Sequence, residues 1–274
     1  MINLNIEIGK KMKLNILVLG DIVGRPGRDI VEDKLPTLIK EENIDFAVAN
    51  AENAAGGSGV TPVVVKGLFD SGIDVLTTGD HVWKKKEAIP VLETETRILR
   101  PANYSPLAKG RGWVVVKNHL RPDIAIINLL GRVFMSPIDC PFRTVDQILE
   151  EVSGKAQIII VDIHAEATSE KIAMGWYLDG RVSAVVGTHT HVQTADERVL
   201  PGRTAYITDL GMTGPYHSVL GRNKDHVLEF IVTQMPRRFE VADKDVRMSG
   251  AIITVDGSTG KAEGIKRLVV HGNN

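Results

Sequence analysis

The chain is patterned as short, continuous apolar runs rich in valine and isoleucine, each followed closely by glycine, aspartate or asparagine. Runs of this kind are typical of strands that are buried on both faces. We expect strands at residues 15–19, 46–49, 75–77, 114–116, 124–128, 158–162, 184–186, 205–208 and 251–255. The pattern therefore predicts an α/β protein.

Helix-compatible stretches separate several of these strands. Residues 28–42 carry a helical apolar stripe that Pro36 interrupts. Further helices are expected at residues 62–70, 145–152 and 222–232. Residues 89–118 have little periodicity and residues 237–248 are highly charged, so either could form a flap or cap, although we favour solvated connections.

No internal repeat, low-complexity tract or long flexible linker divides the chain. A length of 274 residues with 43% hydrophobic content is enough to bury one large core. Because Met12 stands directly before the first predicted strand, we interpret residues 1–11 as an N-terminal extension, either an extra arm or a misassigned start. Residues 12–274 are then one domain, with room for a small cap or flap.

The composition of the chain mainly excludes other classes of protein and other kinds of site. Acidic residues number 34 and basic residues 33, so no global field attracts duplex nucleic acid or an anionic membrane. The single cysteine, Cys140, excludes an internal disulfide and a thiolate metal cluster and favours a cytoplasmic location. We expect neither a signal peptide nor a membrane span, since no apolar run is long enough.

Metal-capable side chains follow five of the predicted strands. In chain order they are Asp21, Glu52 with Asn53, Asp80 with His81, His164, and His189 with His191. Taken singly, an aspartate after a strand is more often a turn or cap, and a lone histidine is more often a core residue. Because ligands gather at the carboxyl ends of strands, we expect the five clusters to meet at one edge of one sheet.

The donor types indicate which ions such a site would hold. His189 and His191 would project to the same side of an extended segment and could hold neighbouring metals. Carboxylate, amide and imidazole together suit manganese, iron or zinc. The seven candidate ligands are Asp21, Glu52, Asn53, Asp80, His164, His189 and His191. They suit two divalent ions better than one.

The motifs around these residues resemble a known family. The order Gly-Asp, Glu-Asn, Gly-Asx-His, His and Gly-Thr-His-Thr-His is similar to calcineurin-like metallophosphoesterases. Longer stretches at residues 20–28, 51–57, 100–104, 164–171 and 187–196 resemble the bacterial YmdB-type cyclic-nucleotide phosphodiesterases. The resemblance runs from Met12 onward and implies an α/β-β-α sandwich with a two-metal site at the carboxyl ends of the strands. It also implies iron or manganese as the metals, with zinc or magnesium as alternatives.

The resemblance also implies roles for individual residues. Asp21, Asn53 and His191 would hold one ion, Asp80, His164 and His189 the other, and Glu52 would bridge them. A hydroxide between the ions would attack, and His81 would be the general acid for the leaving ribose oxygen. The implied substrates are phosphodiesters, notably 2′,3′-cyclic nucleotides. Glu52 and Val23 replace the aspartate and histidine of most metallophosphoesterases, as in the YmdB-type pattern.

Alternative functions remain open beside the metal-dependent phosphodiesterase. One is a phosphomonoesterase on the same scaffold, and another is a metal-bound regulatory protein that binds a nucleotide with little turnover. The expected partner is a small-molecule phosphodiester or cyclic nucleotide, and a homo-oligomer is left open. Four further side chains, Arg25, Arg28, Arg100 and Tyr104, could contact phosphate or base, although surface arginines usually do not.

One position departs from the family pattern, which has asparagine where this chain has Asp80. With Asp80, three carboxylates face the charge of two divalent ions and leave a net single positive charge, whereas asparagine would leave two. We therefore expect weaker attraction for an anionic diester, or a preference for a more highly charged metal pair.

The Asp80→Asn variant is expected to hydrolyse a 2′,3′-cyclic nucleotide faster than the natural chain, because it removes one negative charge beside the anionic substrate. The measurement is the turnover of both proteins at matched metal occupancy. A variant that is no faster would contradict this prediction.

Overall fold

Two β-sheets face each other, and helices cover the outer face of each. The computed structural model describes residues 13–117 and 122–272, so the predicted extension at residues 1–11 lies outside the described residues. The strands are β1 (Lys13–Leu19), β2 (Asp21–Ile22), β3 (Ile44–Asn50), β4 (Val75–Thr77), β5 (Trp113–Val116), β6 (Ile124–Leu130), β7 (Ile158–His164), β8 (Ala184–Thr188), β9 (Arg198–Val199), β10 (Ala205–Ile207), β11 (Met212–Pro215), β12 (Val246–Asp256) and β13 (Ala262–His271). The helices are α1 (Gly24–Glu41), α2 (Pro62–Asp70), α3 (Ala88–Thr94), α4 (Pro141–Val152), α5 (Thr168–Tyr177) and α6 (Lys224–Thr233).

The first sheet has the order β2-β11-β12-β1-β3-β4, and β13 also pairs with β12. Within it, β1, β3 and β4 run parallel, while β12 lies antiparallel to β1. The second sheet has the order β5-β6-β7-β8-β10-β9. Its four central strands, β6, β7, β8 and β10, run parallel to one another. Each sheet thus has a set of parallel strands whose carboxyl ends share one edge.

The molecule has four layers, with helices outside each of the two sheets, and the alternation of side chains along each strand explains how they pack. In β1, Ile16 lies in the core between the two sheets, whereas Leu17 packs in the core beneath α1 and α2. In β7, Ile160 faces the same central core, and Val161 packs in the core beneath α4 and α5. Strands buried on both faces therefore read as unbroken apolar runs. The predicted α/β-β-α sandwich is confirmed.

Each of the nine predicted strands coincides with a strand of the structure. The expectation that the site clusters follow strands of one sheet was wrong, because β1, β3 and β4 belong to the first sheet and β7 and β8 to the second. An apolar run shows that a strand is buried but not which sheet it joins.

The region 89–118, which has little periodicity in the sequence, begins in α3 and includes β5. Among the described residues, no helix is long and apolar enough to cross a membrane.

Replacing a side chain in the central core should destabilise the fold strongly. Ile126 is fully buried between the two sheets, so we expect Ile126→Ala to lower the free energy of unfolding by about 2–5 kcal/mol in urea denaturation. The control is Val63→Ala, since Val63 is 82% exposed and its replacement should cost under about 0.5 kcal/mol. Equal stability of the two variants would contradict the assignment of the central core.

Candidate metal centre

The carboxyl ends of strands from both sheets meet at one end of the sandwich. There the structure brings together all eight side chains predicted for the site, which are Asp21, Glu52, Asn53, Asp80, His81, His164, His189 and His191. Five of them line a cleft of about 290 Å³. The prediction that these distant residues converge is therefore met, although their roles stay predictions.

The first group of ligand candidates comprises Glu52, Asp80, His164 and His189. One donor atom from each lies within 4.8 Å of the others. The Nε2 atom of His164 is 3.3 Å from Glu52 Oε2 and 3.3 Å from Asp80 Oδ1. The Nδ1 atom of His189 lies 3.0 Å from the same nitrogen. Two imidazoles and two carboxylates at this spacing suit a divalent cation.

The second group comprises Asp21, Asn53 and His191. The Nε2 atom of His191 lies 3.6 Å from Asp21 Oδ1 and 3.3 Å from Asn53 Nδ2. Glu52 lies between the two groups, because its Oε1 accepts a hydrogen bond from Asn53 at 3.0 Å while its Oε2 faces His164. One carboxylate thus presents an oxygen to each group of ligand candidates.

The three ligand-candidate histidines, His164, His189 and His191, each have one ring nitrogen that points away from the carboxylates. This outer nitrogen faces an oxygen acceptor. His191 Nδ1 faces the carbonyl oxygen of Leu220 at 3.2 Å, and His189 Nε2 faces Glu166 Oε2 at 3.1 Å. Since these oxygens only accept, the outer nitrogens carry the protons. The inner nitrogens face the carboxylates and, after losing a proton to a cation, would offer their lone pairs as metal-bound imidazoles do.

His164 obeys the same rule through a longer chain. Its Nδ1 lies 2.9 Å from Thr188 Oγ1, which in turn donates to Asp162 Oδ1 at 2.8 Å. Burial raises the pKa of Asp162 to about 6, so this carboxyl is largely ionised at neutral pH and accepts. The single hydroxyl proton of Thr188 is used there, so His164 must donate from Nδ1. Its Nε2 faces Glu52 and Asp80 and would bind a cation in exchange for a proton.

The electrostatics of the cluster favour a cation. Burial alone would raise the pKa of Asp21 and of Asp80, but the neighbouring imidazoles outweigh it and hold both pKa values below the ordinary range. Burial would lower the pKa of His164, yet Glu52, Asp80 and Asp21 raise it well above its usual value. The carboxylates are therefore ionised, and the positive charge that His164 and His191 supply is one that a divalent cation can replace.

Two carboxylate oxygens in the site have no hydrogen-bond donor. Asp21 Oδ1 and Asp80 Oδ1 are buried, and neither accepts a hydrogen bond of acceptable geometry from the described residues. Buried polar atoms are nearly always satisfied, so such atoms require another partner. The residues present thus fit a pair of divalent ions in their donor types, their protonation and their unsatisfied oxygens.

The segment 189–191 is not extended, contrary to the sequence interpretation of the His-x-His pair. Strand β8 ends at Thr188, and His189 and His191 have φ angles of +97° and +64°. Such angles are unfavourable for side chains larger than glycine. The turn is held because the backbone N–H of His189 donates to Asp21 Oδ2 at 3.1 Å. The two rings consequently face different ligand groups.

A buried ion pair that the sequence interpretation missed also holds this turn. Lys171 Nζ donates to Asp209 Oδ2 at 2.7 Å, and both side chains are almost completely buried. The same carboxylate oxygen accepts the backbone N–H of Thr190 at 3.1 Å. The position of Asp209 in the sequence could have indicated its role, since it follows strand β10 at the end of the sheet where the other clusters lie.

The arginines suggested as phosphate contacts lie elsewhere or are engaged. Arg100 donates to four backbone carbonyls, and Arg25 pairs with Asp29 on an exposed surface. Arg28 donates to the carbonyl of Ala54. Tyr104 packs edge-on against Trp83, and burial together with the charges of Asp80 and Glu52 raises its pKa to about 12. Instead, Arg222 lines the cleft.

Adding one methyl group beside the site should weaken metal binding. A Cβ at Gly79 would lie 2.2 Å from His164 Nε2 and 2.3 Å from Glu52 Oε2, so Gly79→Ala must displace both. We expect metal affinity, measured by chelator competition, to fall by about 10- to 100-fold. The control is Gly67→Ala, where a Cβ meets nothing within 4 Å. Unchanged affinity in a folded Gly79→Ala protein would contradict the proposed centre.

Comparisons with known proteins agree with this geometry. The family model described as YmdB-like protein matches residues 17–268. The 2′,3′-cyclic-nucleotide 2′-phosphodiesterase of Bacillus subtilis (strain 168) is 45% identical over 258 residues, which cover 94% of this chain and 97% of that protein.

Two solved structures also superpose closely. A hypothetical protein from Thermus thermophilus has a TM-score of 0.89 and 38% identity, over 95% of this chain and 100% of its own. A novel phosphatase from Mycoplasma pneumoniae has a TM-score of 0.90 and 31% identity, over 97% and 96% respectively. These likenesses confirm the resemblance found in the motifs, and the chain belongs to the YmdB-like family.

Proposed function

We propose that this protein is a two-metal phosphodiesterase that hydrolyses 2′,3′-cyclic nucleotides. The observation that carries the proposal is the position of Glu52, which is 1% exposed and presents one carboxylate oxygen to each group of ligand candidates. The name of the Bacillus subtilis relative supports the choice of substrate. An acidic, imidazole-lined cleft without cations would repel a phosphodiester, so the proposal requires bound metal.

The proposed ligands follow the two groups. Asp21, Asn53 and His191 would hold one ion, Asp80, His164 and His189 would hold the other, and Glu52 would belong to both. The mixture of carboxylate, amide and imidazole donors suits iron, manganese or zinc, and the resemblance of the motifs favours iron or manganese, with zinc or magnesium as alternatives. When bound, two such ions would neutralise the phosphate and lower the pKa of a bound water.

Asn53 couples the proposed centre to the proposed general acid. Its Nδ2 faces Glu52 and His191, while its Oδ1 lies 2.8 Å from His81 Nδ1. Binding a cation through the amide oxygen requires the amide to turn over, which places its NH2 against His81 Nδ1. That nitrogen must then accept, so the ring proton resides on Nε2. His81 would thereby hold its proton on the nitrogen that is not bound to Asn53.

The placement of His81 is compatible with donating that proton. Its side chain is 29% exposed, it lines the cleft, and its backbone N–H donates to Glu52 Oε2 at 3.0 Å. The ring is therefore anchored at the backbone while one edge remains accessible. A general acid needs this combination of fixed position and access to the leaving oxygen.

Two further proposals concern the chain as a whole. We propose that residues 12–274 act as a single catalytic domain, since both sheets supply ligand candidates to one site. A cytoplasmic location rests on the single cysteine, Cys140. A phosphomonoesterase is the second candidate, favoured by the name of the Mycoplasma pneumoniae structure.

The decisive experiment combines metal analysis with a substrate panel. We expect two ions per chain and faster hydrolysis of 2′,3′-cyclic nucleotides and of bis(p-nitrophenyl) phosphate than of p-nitrophenyl phosphate. His81→Asn should keep both ions and lower kcat by about 10²- to 10⁴-fold, since it removes the acid. The matched control is His217→Asn, an exposed histidine outside the cleft.

Each contrary result has a defined meaning. Preferred cleavage of the monoester would favour the phosphomonoesterase. Nucleotide binding without turnover at full metal occupancy would favour the regulatory protein. Full activity of His81→Asn would reject the role of His81 while leaving the metal centre in place.

A further inference from the structure

Arg222 stands on the wall of the cleft that holds the ligand candidates. It precedes helix α6 and lines the cleft together with Glu52, His81 and His191. Its side chain is partly buried, and burial lowers its pKa from the ordinary value. An arginine in this position can contact a ligand that binds in the cleft.

The guanidinium group of Arg222 has few partners. Its Nη2 donates to the backbone carbonyl of Gly57. Among the described residues no carboxylate forms an ion pair with it, although Asp21, Glu52 and Asp80 lie in the adjoining centre. A guanidinium carries five N–H donors. Most of its N–H groups are therefore available to an anion in the cleft. The guanidinium of Arg100, in contrast, donates to backbone carbonyls.

The backbone around Arg222 holds it in place before any ligand arrives. Val219 and Arg222 exchange two backbone hydrogen bonds of 2.9 Å, and Leu220 and Gly221 between them have φ angles of +50° and +88°. Two consecutive positive φ angles define a tight turn of the mirror-image type. Arg222 also forms a β-bridge with Val241. The side chain thus leaves from a rigid support.

Gly57 makes room for the guanidinium on the opposite side. Its φ angle is +86°, and a Cβ at this position would collide with Arg222 Nη1 and with Val241. Glycine is therefore required both by the backbone conformation and by the closeness of the arginine. The Gly56-Gly57 stretch follows the ligand candidates Glu52 and Asn53 closely in sequence.

The turn also contacts the proposed metal centre. The carbonyl oxygen of Leu220 accepts a hydrogen bond from His191 Nδ1 at 3.2 Å. One four-residue turn therefore positions a ligand candidate and an arginine without a carboxylate partner. Because Leu220 accepts this hydrogen bond and lies two residues before Arg222, the turn restricts how far the guanidinium can lie from the proposed cations.

We propose that Arg222 binds the two non-esterified oxygens of the substrate phosphate, opposite the metal centre. This inference rests on the proposed function. A planar guanidinium matches a phosphate in a bidentate geometry that lysine cannot reproduce. Because negative charge on these oxygens increases during displacement, the arginine stabilises the transition state more than the bound substrate. It is a specificity-determining residue for phosphate beside the proposed metal centre.

The test compares Arg222→Met and Arg222→Lys with the natural chain at verified metal content. We expect Arg222→Met to lower kcat/KM for a 2′,3′-cyclic nucleotide by about 10²-fold. The inhibition constant of inorganic phosphate should rise at least about tenfold. For Arg222→Lys, both constants should lie between those of Arg222→Met and those of the natural chain. The control is Arg143→Met, since Arg143 is exposed on α4 and lies outside the cleft, and neither constant should change.

The outcomes separate this inference from the proposed function. Unchanged kcat/KM and phosphate inhibition in both Arg222 variants would overturn the role of Arg222 while leaving the phosphodiesterase intact. Loss of metal in both variants would assign Arg222 a structural role and also overturn the inference. If the natural chain hydrolyses no cyclic nucleotide, calorimetric binding of inorganic phosphate to the metal-loaded proteins decides. Weaker binding by Arg222→Met supports the inference, and equal or absent binding overturns it.

Discussion

The need of buried carboxylates for positive charge is the constraint on which the site depends. Asp21 and Glu52 are almost completely buried, and an unpaired buried charge costs several kcal/mol. Elsewhere in the molecule this need is met by a lysine, as Lys171 does for Asp209. In the centre, the ion pairs of Asp21, Glu52 and Asp80 within the described chain involve only histidines. Since imidazoles give up their protons readily, the centre suits exchangeable cations.

Beneath the centre, a layer of polar residues ties the two sheets together. Asn50 and Thr77, at the ends of β3 and β4, donate to Asp162 on β7 of the other sheet. The backbone N–H of Thr78 donates to Asn128 Oδ1 at 3.0 Å across the same boundary. The apolar core between the sheets would allow small sliding movements, but directional hydrogen bonds do not. These hydrogen bonds fix the two sheets relative to each other, and each group of ligand candidates takes residues from both sheets.

The sequence predicted the parts of the fold that depend on local pattern. Doubly buried strands such as β7 read as continuous apolar runs, and residues directly after them were the correct candidates for convergence. Strand β13 was missed because its second half alternates between exposed and partly buried positions and forms no such run. Helix α5 was missed because Lys171 and Gly175 are among its buried residues, which obscures an apolar stripe.

Features that depend on tertiary contacts could not be predicted in the same way. The division of strands between two sheets depends on which faces pack together. Arg222 follows a turn rather than a strand, and only the folded chain places it against Gly57 and the cleft. The left-handed conformations of His189 and His191 also have no local signal, because histidine does not favour them enough to reveal the turn.

Backbone strain at the site links its geometry to its charges. His189, His191 and Leu220 all have positive φ angles, and each such residue costs on the order of 1–3 kcal/mol. The compensating contacts involve the site itself, since ionised Asp21 accepts the backbone N–H of His189 and Leu220 accepts from His191. The strained conformations therefore depend on the carboxylate being ionised and on the imidazole keeping its outer proton. Those same two conditions leave the inner nitrogen of His191 and the unsatisfied oxygen of Asp21 ready for a cation, so folding of these loops and preparation of the centre are one process.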